Sequence, residues 1–270
     1  NSVVIYPEMH YLNLHTTVNP PGAVRAQLMG ASSAVPEISA ILSGVSHPDL
    51  TTGAPLGLVT IFGKDLFRVP GDSGSFEGAV PRMMNGTTVV IGGMEAALVT
   101  LGRDSSFVPT DYIVAQVPAG LAAGEHPVLV SNSQGGGAAR MLTVAAVAPG
   151  IYFDGAGAIA FRASDMTLIG PGNAAGAGDE VVLLMTGLGR VSPGLGTGEF
   201  APADAAAVAP VQVSVGDRAA TGVSATAWPG YAGLYRVTFT VPGGVSGMVP
   251  VRVTQGTPQA VSNAATIVVE

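Results

Sequence analysis

Residues 111–131 read DYIVAQVPAGLAAGEHPVLVS and residues 234–254 read LYRVTFTVPGGVSGMVPVRVT. In each, a tyrosine (Tyr112, Tyr235) opens a run that alternates polar and apolar residues and closes on Val-Pro (Val117-Pro118, Val241-Pro242). A glycine-bearing turn follows, then a second alternating run with a proline near its start (Pro127, Pro250). Alternation at period two marks a half-buried strand, and Val-Pro followed by glycine ends that strand and reverses the chain. One supersecondary unit written twice predicts two copies of one β fold, a duplication rather than a single chain wrapped around one cleft.

Working outward, the same course is repeated around each unit. The first copy opens at Pro36–Ile41 and continues through Gly57–Leu66, the hairpin signal Asn85-Gly86, Thr88–Ile91 and strands at 96–101, 111–117, 126–131 and 138–144. The second opens at Ala148–Phe153; Gly178–Gly187 matches Gly57–Gly63, Val211–Gly216 matches Thr88–Gly92, and 264–269 ends the chain as a strand. Short strands with turns every 8–12 residues are what a β-sandwich produces. The fold class expected is all-β: two tandem immunoglobulin-like β-sandwiches preceded by an extended N-terminal segment. The boundaries read as 1–34 for that segment, 35–146 for the first sandwich and 147–270 for the second. Residues 192–209 form a longer loop, and the short linker at Ala145–Pro149 predicts a fixed, end-to-end arrangement.

Composition agrees with this reading. Of 270 residues 47% are hydrophobic and 11% charged, with 38 Gly and 20 Pro, a mixture suited to strands and tight turns. The net charge of −7, with 11 scattered Lys and Arg, argues against a nucleic-acid partner, which needs clustered cations to neutralise phosphates. There is no cysteine, so neither disulfides nor thiolate metal sites arise. No apolar run is long enough to span a membrane. A start at Asn1 rather than Met fits a mature form whose leader has been removed, or equally a trimmed chain. Low charge and a surface of Thr, Ser, Gly and Ala predict an extracellular or cell-surface protein.

The N-terminal segment stands apart from the repeat. Val3–Tyr6 and Tyr11–Val18 carry strand-forming residues, Leu12, Leu14 and Thr16 share one side, and Asn19-Pro20-Pro21-Gly22 stops the run. Such a segment has three fates: pairing within its own domain, lying on its surface, or adding to a sheet edge of another subunit. For the third, Val4, Tyr6, Tyr11, Leu12 and Leu14 are the candidate subunit contacts.

A search for chemistry returns little. His10 and His15, five residues apart in an extended run, point to opposite faces, and His47 with Asp49 or His126 with Glu125 supplies too few ligands for an ion. Asp65, Asp72, Asp104 and Asp111 form no calcium-loop array. Asp72-Ser73-Gly74-Ser75 is not a nucleophile elbow, and Gly135-Gly136-Gly137 and Gly155–Ala160 lack the context of a phosphate cradle. No catalytic residue, metal or cofactor is therefore assigned, and the chain is expected not to be an enzyme. Trp228-Pro229-Gly230-Tyr231 sets two aromatics in one turn, where Trp228 and Tyr231 stack on a sugar, plug a neighbour's pocket, or cap the sandwich end. Asn85-Gly86-Thr87 is a glycosylation sequon and also a hairpin turn; the turn is the preferred reading.

Both halves resemble immunoglobulin-like families. Pro36–Ile41 with Val59–Leu66 resembles the IPT/TIG domains of receptors and bacterial surface proteins. Ala148–Ile151, Gly178-Asp179, Thr186–Gly189, Pro193 and Pro229–Val237 are similar to the Solibacter-type C-terminal domain of exported bacterial proteins. Neither resemblance implies a reaction; both imply spacers, adhesive modules or filament units. The expected function is a structural subunit of an extracellular bacterial fibre, a homopolymer built head to tail by donation of the N-terminal segment. The alternative is an adhesin or carbohydrate-binding module whose partner is a glycan.

Overall fold

The computed structural model describes the backbone of two N-terminal strands and, in full, residues 35–72, 74, 78–104, 110–155 and 157–270. Residues 1–34 form one compact unit and 35–270 another. In the first unit Tyr11–Leu14 runs antiparallel to Val24–Gln27, with Leu12 opposite Ala26 and Leu14 opposite Val24. One edge of the candidate donor strand is therefore paired within its own chain. Val4 and Tyr6 lie outside the described residues, as do the side chains of Tyr11, Leu12 and Leu14.

The larger unit is all-β and holds two immunoglobulin-like sandwiches. In the first, one sheet runs Glu37–Ser43, Leu58–Lys64, Thr110–Gln116, Ala97–Asp104, Gly71–Asp72. The facing sheet runs Thr52–Gly53, Arg140–Val144, Gly124–Asn132, Thr87–Ile91, Met83–Met84, with Thr52–Gly53 parallel to Arg140–Val144 and the rest antiparallel. The second sandwich repeats the plan with Glu180–Thr186, Tyr235–Thr240 and Thr221–Ala227 in one sheet. Ala265–Val269, Gly247–Gln255 and Val211–Val215 form the other, and Gly157 lies parallel to Thr266. An opening segment that lends a piece to each sheet, the second piece parallel to the last strand, gives the immunoglobulin arrangement.

Each sandwich has its own core. Val59, Ile61, Ile113, Ala115, Val128 and Val130 meet in the first; Leu183, Met185, Val237, Phe239, Val251 and Val253 meet in the second. Gly124–Asn132 and Gly247–Gln255 have the same burial alternation position by position, as the quoted repeat requires. The tyrosines that open the repeat are not equivalent, however. Aligned on Val-Pro, Tyr235 corresponds to Asp111 and Tyr112 to Arg236. Tyr235 and Asp111 are both buried, whereas Tyr112 and Arg236 are half-buried on outer faces. A one-residue slip exchanges the faces of a strand, and the tyrosine match had slipped by one.

The sandwiches meet in more than the end-to-end junction that the linker suggested. The Leu58 amide donates to the Thr186 hydroxyl (2.8 Å), which donates in turn to the Gly233 carbonyl (2.8 Å). Gln116 donates to the Leu56 carbonyl and accepts from the Gly198 amide, and the Gly198 carbonyl accepts from Val80. The Ala119 amide donates to the Thr197 hydroxyl, so the long 192–209 loop is strapped across the first sandwich. Between these bonds Val80, Ala97 and Ala232 pack together, with Val99 and Phe200 against them. Gly57 and Gly187 approach backbone to backbone: a Cβ on Gly57 would lie 2.8 Å from Gly187 Cα, which no side chain tolerates. Leu56 goes furthest, since it belongs to the first sandwich yet is buried in the core of the second.

Candidate functional site

Above this seam the sandwiches leave an apolar cleft of about 300 Å³, walled by Leu58, Val99 and Val114 on one side and Tyr152, Leu184 and Leu234 on the other. Val114 belongs to Thr110–Gln116 and Leu184 to Glu180–Thr186, and each is only partly buried while its neighbours in sequence are core. The wall is thus made by the outer faces of two sheets. Tyr231 stands at the cleft, 54% exposed.

The turn that carries it is held by the backbone. Trp228 donates to the Leu234 carbonyl, Tyr231 to Trp228, Gly230 to Ala201, and Ala201 back to Tyr231. The two aromatics predicted to act together are separated by this arrangement. The Trp228 ring is half-buried and sits edge-on against Phe161, 6.1 Å between centroids, in the manner of a cap on the sheet. Tyr231 alone of the pair presents a largely free face to solvent, and a partly exposed phenol over an apolar floor suits one amphipathic ring or one apolar side chain.

Burial pushes the phenols of Tyr152, in the cleft wall, and Tyr235, in the second core, above their usual range. A phenol that keeps its proton longer folded than unfolded contributes fully to stability below the ordinary value of 10.0 and loses that contribution as pH climbs above it. The urea midpoint is therefore expected to hold from neutral pH to about 9 and to fall beyond about 10 as tyrosinate forms; equal midpoints on both sides would contradict it.

The other sequence candidates are dispersed. His47 packs edge-on against Phe153 at 5.8 Å, and the His126 Nε2 donates to the Ala122 carbonyl. His10 and His15 lie outside the described residues. Two of the acids have donors of their own: Asp72 accepts from Gly74 and Thr100, and buried Asp111 accepts from Arg103 and the Leu66 amide. Among the described residues no three histidine or acidic side chains are gathered as a metal would require, and no helix is long and apolar enough to cross a membrane. Asn85 (φ 49°) and Gly86 (φ 74°) form the two-residue turn between Met83–Met84 and Thr87–Ile91, and the Asn85 amide donates to the Pro70 carbonyl at 2.7 Å. The nitrogen a glycan would take is thus engaged in holding the turn.

Leu56, Gln116, Thr186 and the 196–200 loop, which build the seam between the sandwiches, carry no local signature of that role. Thr186-Gly187-Leu188-Gly189 was legible as a block, but its partner Leu58 lies 128 residues away.

No family model matches the chain, and no curated protein does. Among solved structures it is similar to SGBP-B of the Bacteroides ovatus mixed-linkage glucan utilization locus, described in complex with a heptasaccharide, at 11% identity and TM-score 0.38, covering 91% of this chain and 47% of that one. It is also similar to the Escherichia coli adhesin FdeC (14% identity, TM-score 0.25, 93% and 70% covered) and to the titin tandem A164–A165 (10%, 0.20, 87% and 96%). The chain thus spans about half the length of the first of these.

Proposed function

We propose that this chain is a non-catalytic structural subunit of an extracellular bacterial fibre, with its N-terminal residues adding to a neighbouring subunit. Its first sandwich is read as IPT/TIG-like and its second as Solibacter-type. The observation that carries the reading is a contrast between the two units. Residues 35–270 hold two cores joined by a bonded seam, whereas the described strands of residues 1–34 form one two-stranded sheet of four residues a strand. An isolated hairpin of that size is marginal in water and gains stability by joining a larger sheet. Where that sheet belongs to the next subunit, the contact is heterologous, does not close, and propagates.

Electron microscopy of the concentrated protein tests the proposal. The full chain is expected to form filaments and a chain lacking residues 1–18 to stay monomeric; filaments from the shortened chain would refute strand donation. Tyr231, exposed at an apolar cleft, favours a second reading, a surface adhesin that grips a glycan or an apolar side chain there. In that case Tyr231→Ala removes ligand binding and leaves assembly unchanged, whereas in the fibre reading it changes neither.

A further inference from the structure

The two copies of the fold treat the outer edge of their last strand differently. In the second sandwich the edge of Ala265–Val269 is covered: Thr266 pairs with Gly157, and Ala175 accepts from Glu270 and donates to Val268. In the first, Thr52–Gly53 pairs with Thr143 and Val144, and the Gly53 carbonyl accepts from Ala145. The remainder of that edge, Arg140–Leu142, has no strand beside it among the described residues.

The comparison is position for position. Pro127 faces Met141 in the first sandwich, and Pro250 faces Thr266 in the second. Gly92 donates to the Pro127 carbonyl and Gly216 to the Pro250 carbonyl, so the registers coincide. Met141 therefore occupies the place of Thr266, without the partner that Gly157 provides there. Alternate residues of a strand turn their N–H and C=O to opposite edges. Because the Ala145 amide bonds outward to Gly53, Met141 two pairs back also turns its amide and carbonyl outward. Its side chain is 54% exposed. The open stretch has none of the proline, lysine or bulge that ordinarily keeps a free edge from pairing, Arg140 aside.

We propose that Arg140–Leu142 is the acceptor edge for a second copy of this chain, and that the added strand is Tyr11–Leu14 of that copy. The inference rests on the fibre reading and supplies its docking site. The occupant follows from the needs of the two partners. Tyr11–Leu14 is already extended and paired on one side with Val24–Gln27, and among the described residues no strand pairs with its other edge, by which the hairpin can join a larger sheet. Four donor residues are enough to span an open stretch of three. Backbone bonding at Met141, with the exposed Met141 and Pro127 side chains beside it, would extend the first sandwich's sheet by two strands.

Sedimentation velocity and negative-stain microscopy of four full-length chains test the assignment: wild type, Met141→Pro, Met141→Lys and Leu12→Pro. Proline removes the amide that the ladder needs, at an edge position that tolerates it, and lysine places a charge on the edge without touching the backbone. Wild type is expected to assemble, and all three variants to raise the concentration needed for assembly about tenfold or more, with melting midpoints of the sandwiches unchanged. Should Met141→Pro disturb folding, Met141→Lys decides. Both Met141 variants assembling like wild type while Leu12→Pro does not would place the acceptor elsewhere and leave strand donation intact. Loss with the Met141 variants but not with Leu12→Pro would assign the edge to another donor and overturn the inference. A wild type that stays monomeric would remove the fibre reading and the inference with it, and four chains that assemble alike would refute strand donation and overturn the inference while assembly itself stands.

Discussion

Tyr235→Ala is expected to destabilise the second sandwich by about 3–5 kcal/mol, the range for deleting a buried aromatic ring. Tyr235 is 1% exposed and packs in one core with Val237, Phe239 and Leu188. Its hydroxyl donates to the carbonyl of Gly189, which is buried. Alanine removes the ring and leaves a cavity, and it leaves that carbonyl without a donor. Tyr235→Phe separates the two contributions: it keeps the ring, loses the bond, and is expected to cost about 1–3 kcal/mol. Trp228, the single tryptophan, lies in the same sandwich, so its fluorescence during urea unfolding reads the effect directly. A loss below about 1 kcal/mol for the alanine variant would mean that the ring is not the centre of this core.

The same residue marks how far the sequence could be read. Period-two alternation was enough to find the strands and the duplication, because each strand buries one face and exposes the other. The same alternation is what the structure shows in the second run of each unit, where Val128 and Val130, and Val251 and Val253, face the cores. It did not settle the start of Thr110–Gln116 and of Tyr235–Thr240, where Tyr112 and Tyr235 look alike. The buried position at the start of this strand is filled by different chemistry in the two copies. In the second, Tyr235 reaches the Gly189 carbonyl; in the first, the Asp111 carboxylate gathers Arg103 and the Leu66 amide. A buried acid and a buried phenol share no sequence signal, so similarity of letters pointed to the wrong register.

The candidate site was less legible, because its parts come from distant segments. Trp228 and Tyr231 were found as a pair of aromatics in one turn, and nothing in their spacing said that one would cover Phe161 and the other stand at a cleft. The cleft exists because two outer sheet faces are brought together by Thr186, Gln116 and the 196–200 loop. A polar side chain at the end of a strand reads the same whether it meets water or a backbone group more than a hundred residues away.

Leu56 gives that seam its sharpest expected consequence. It lies in the first sandwich, is 3% exposed, and is counted in the core of the second beside Leu188 and Met185. Its backbone has φ 65°, a left-handed conformation that a leucine adopts only when its surroundings hold it there. The Leu56 amide donates to Val117 and its carbonyl accepts from Gln116, so the backbone is fixed on the first sandwich while the side chain is fixed in the second. Leu56→Ala keeps the strained backbone and empties the far end of the contact, which is expected to cost about 2–5 kcal/mol. The loss belongs to the coupling as well as to the second core. In wild type, residues 35–270 are expected to melt in one calorimetric transition; in Leu56→Ala the transition is expected to broaden or split, with the Trp228 signal moving to lower temperature. An unchanged Trp228 midpoint would show that the second core does not depend on the first sandwich, and the two would then be independent domains on a short linker.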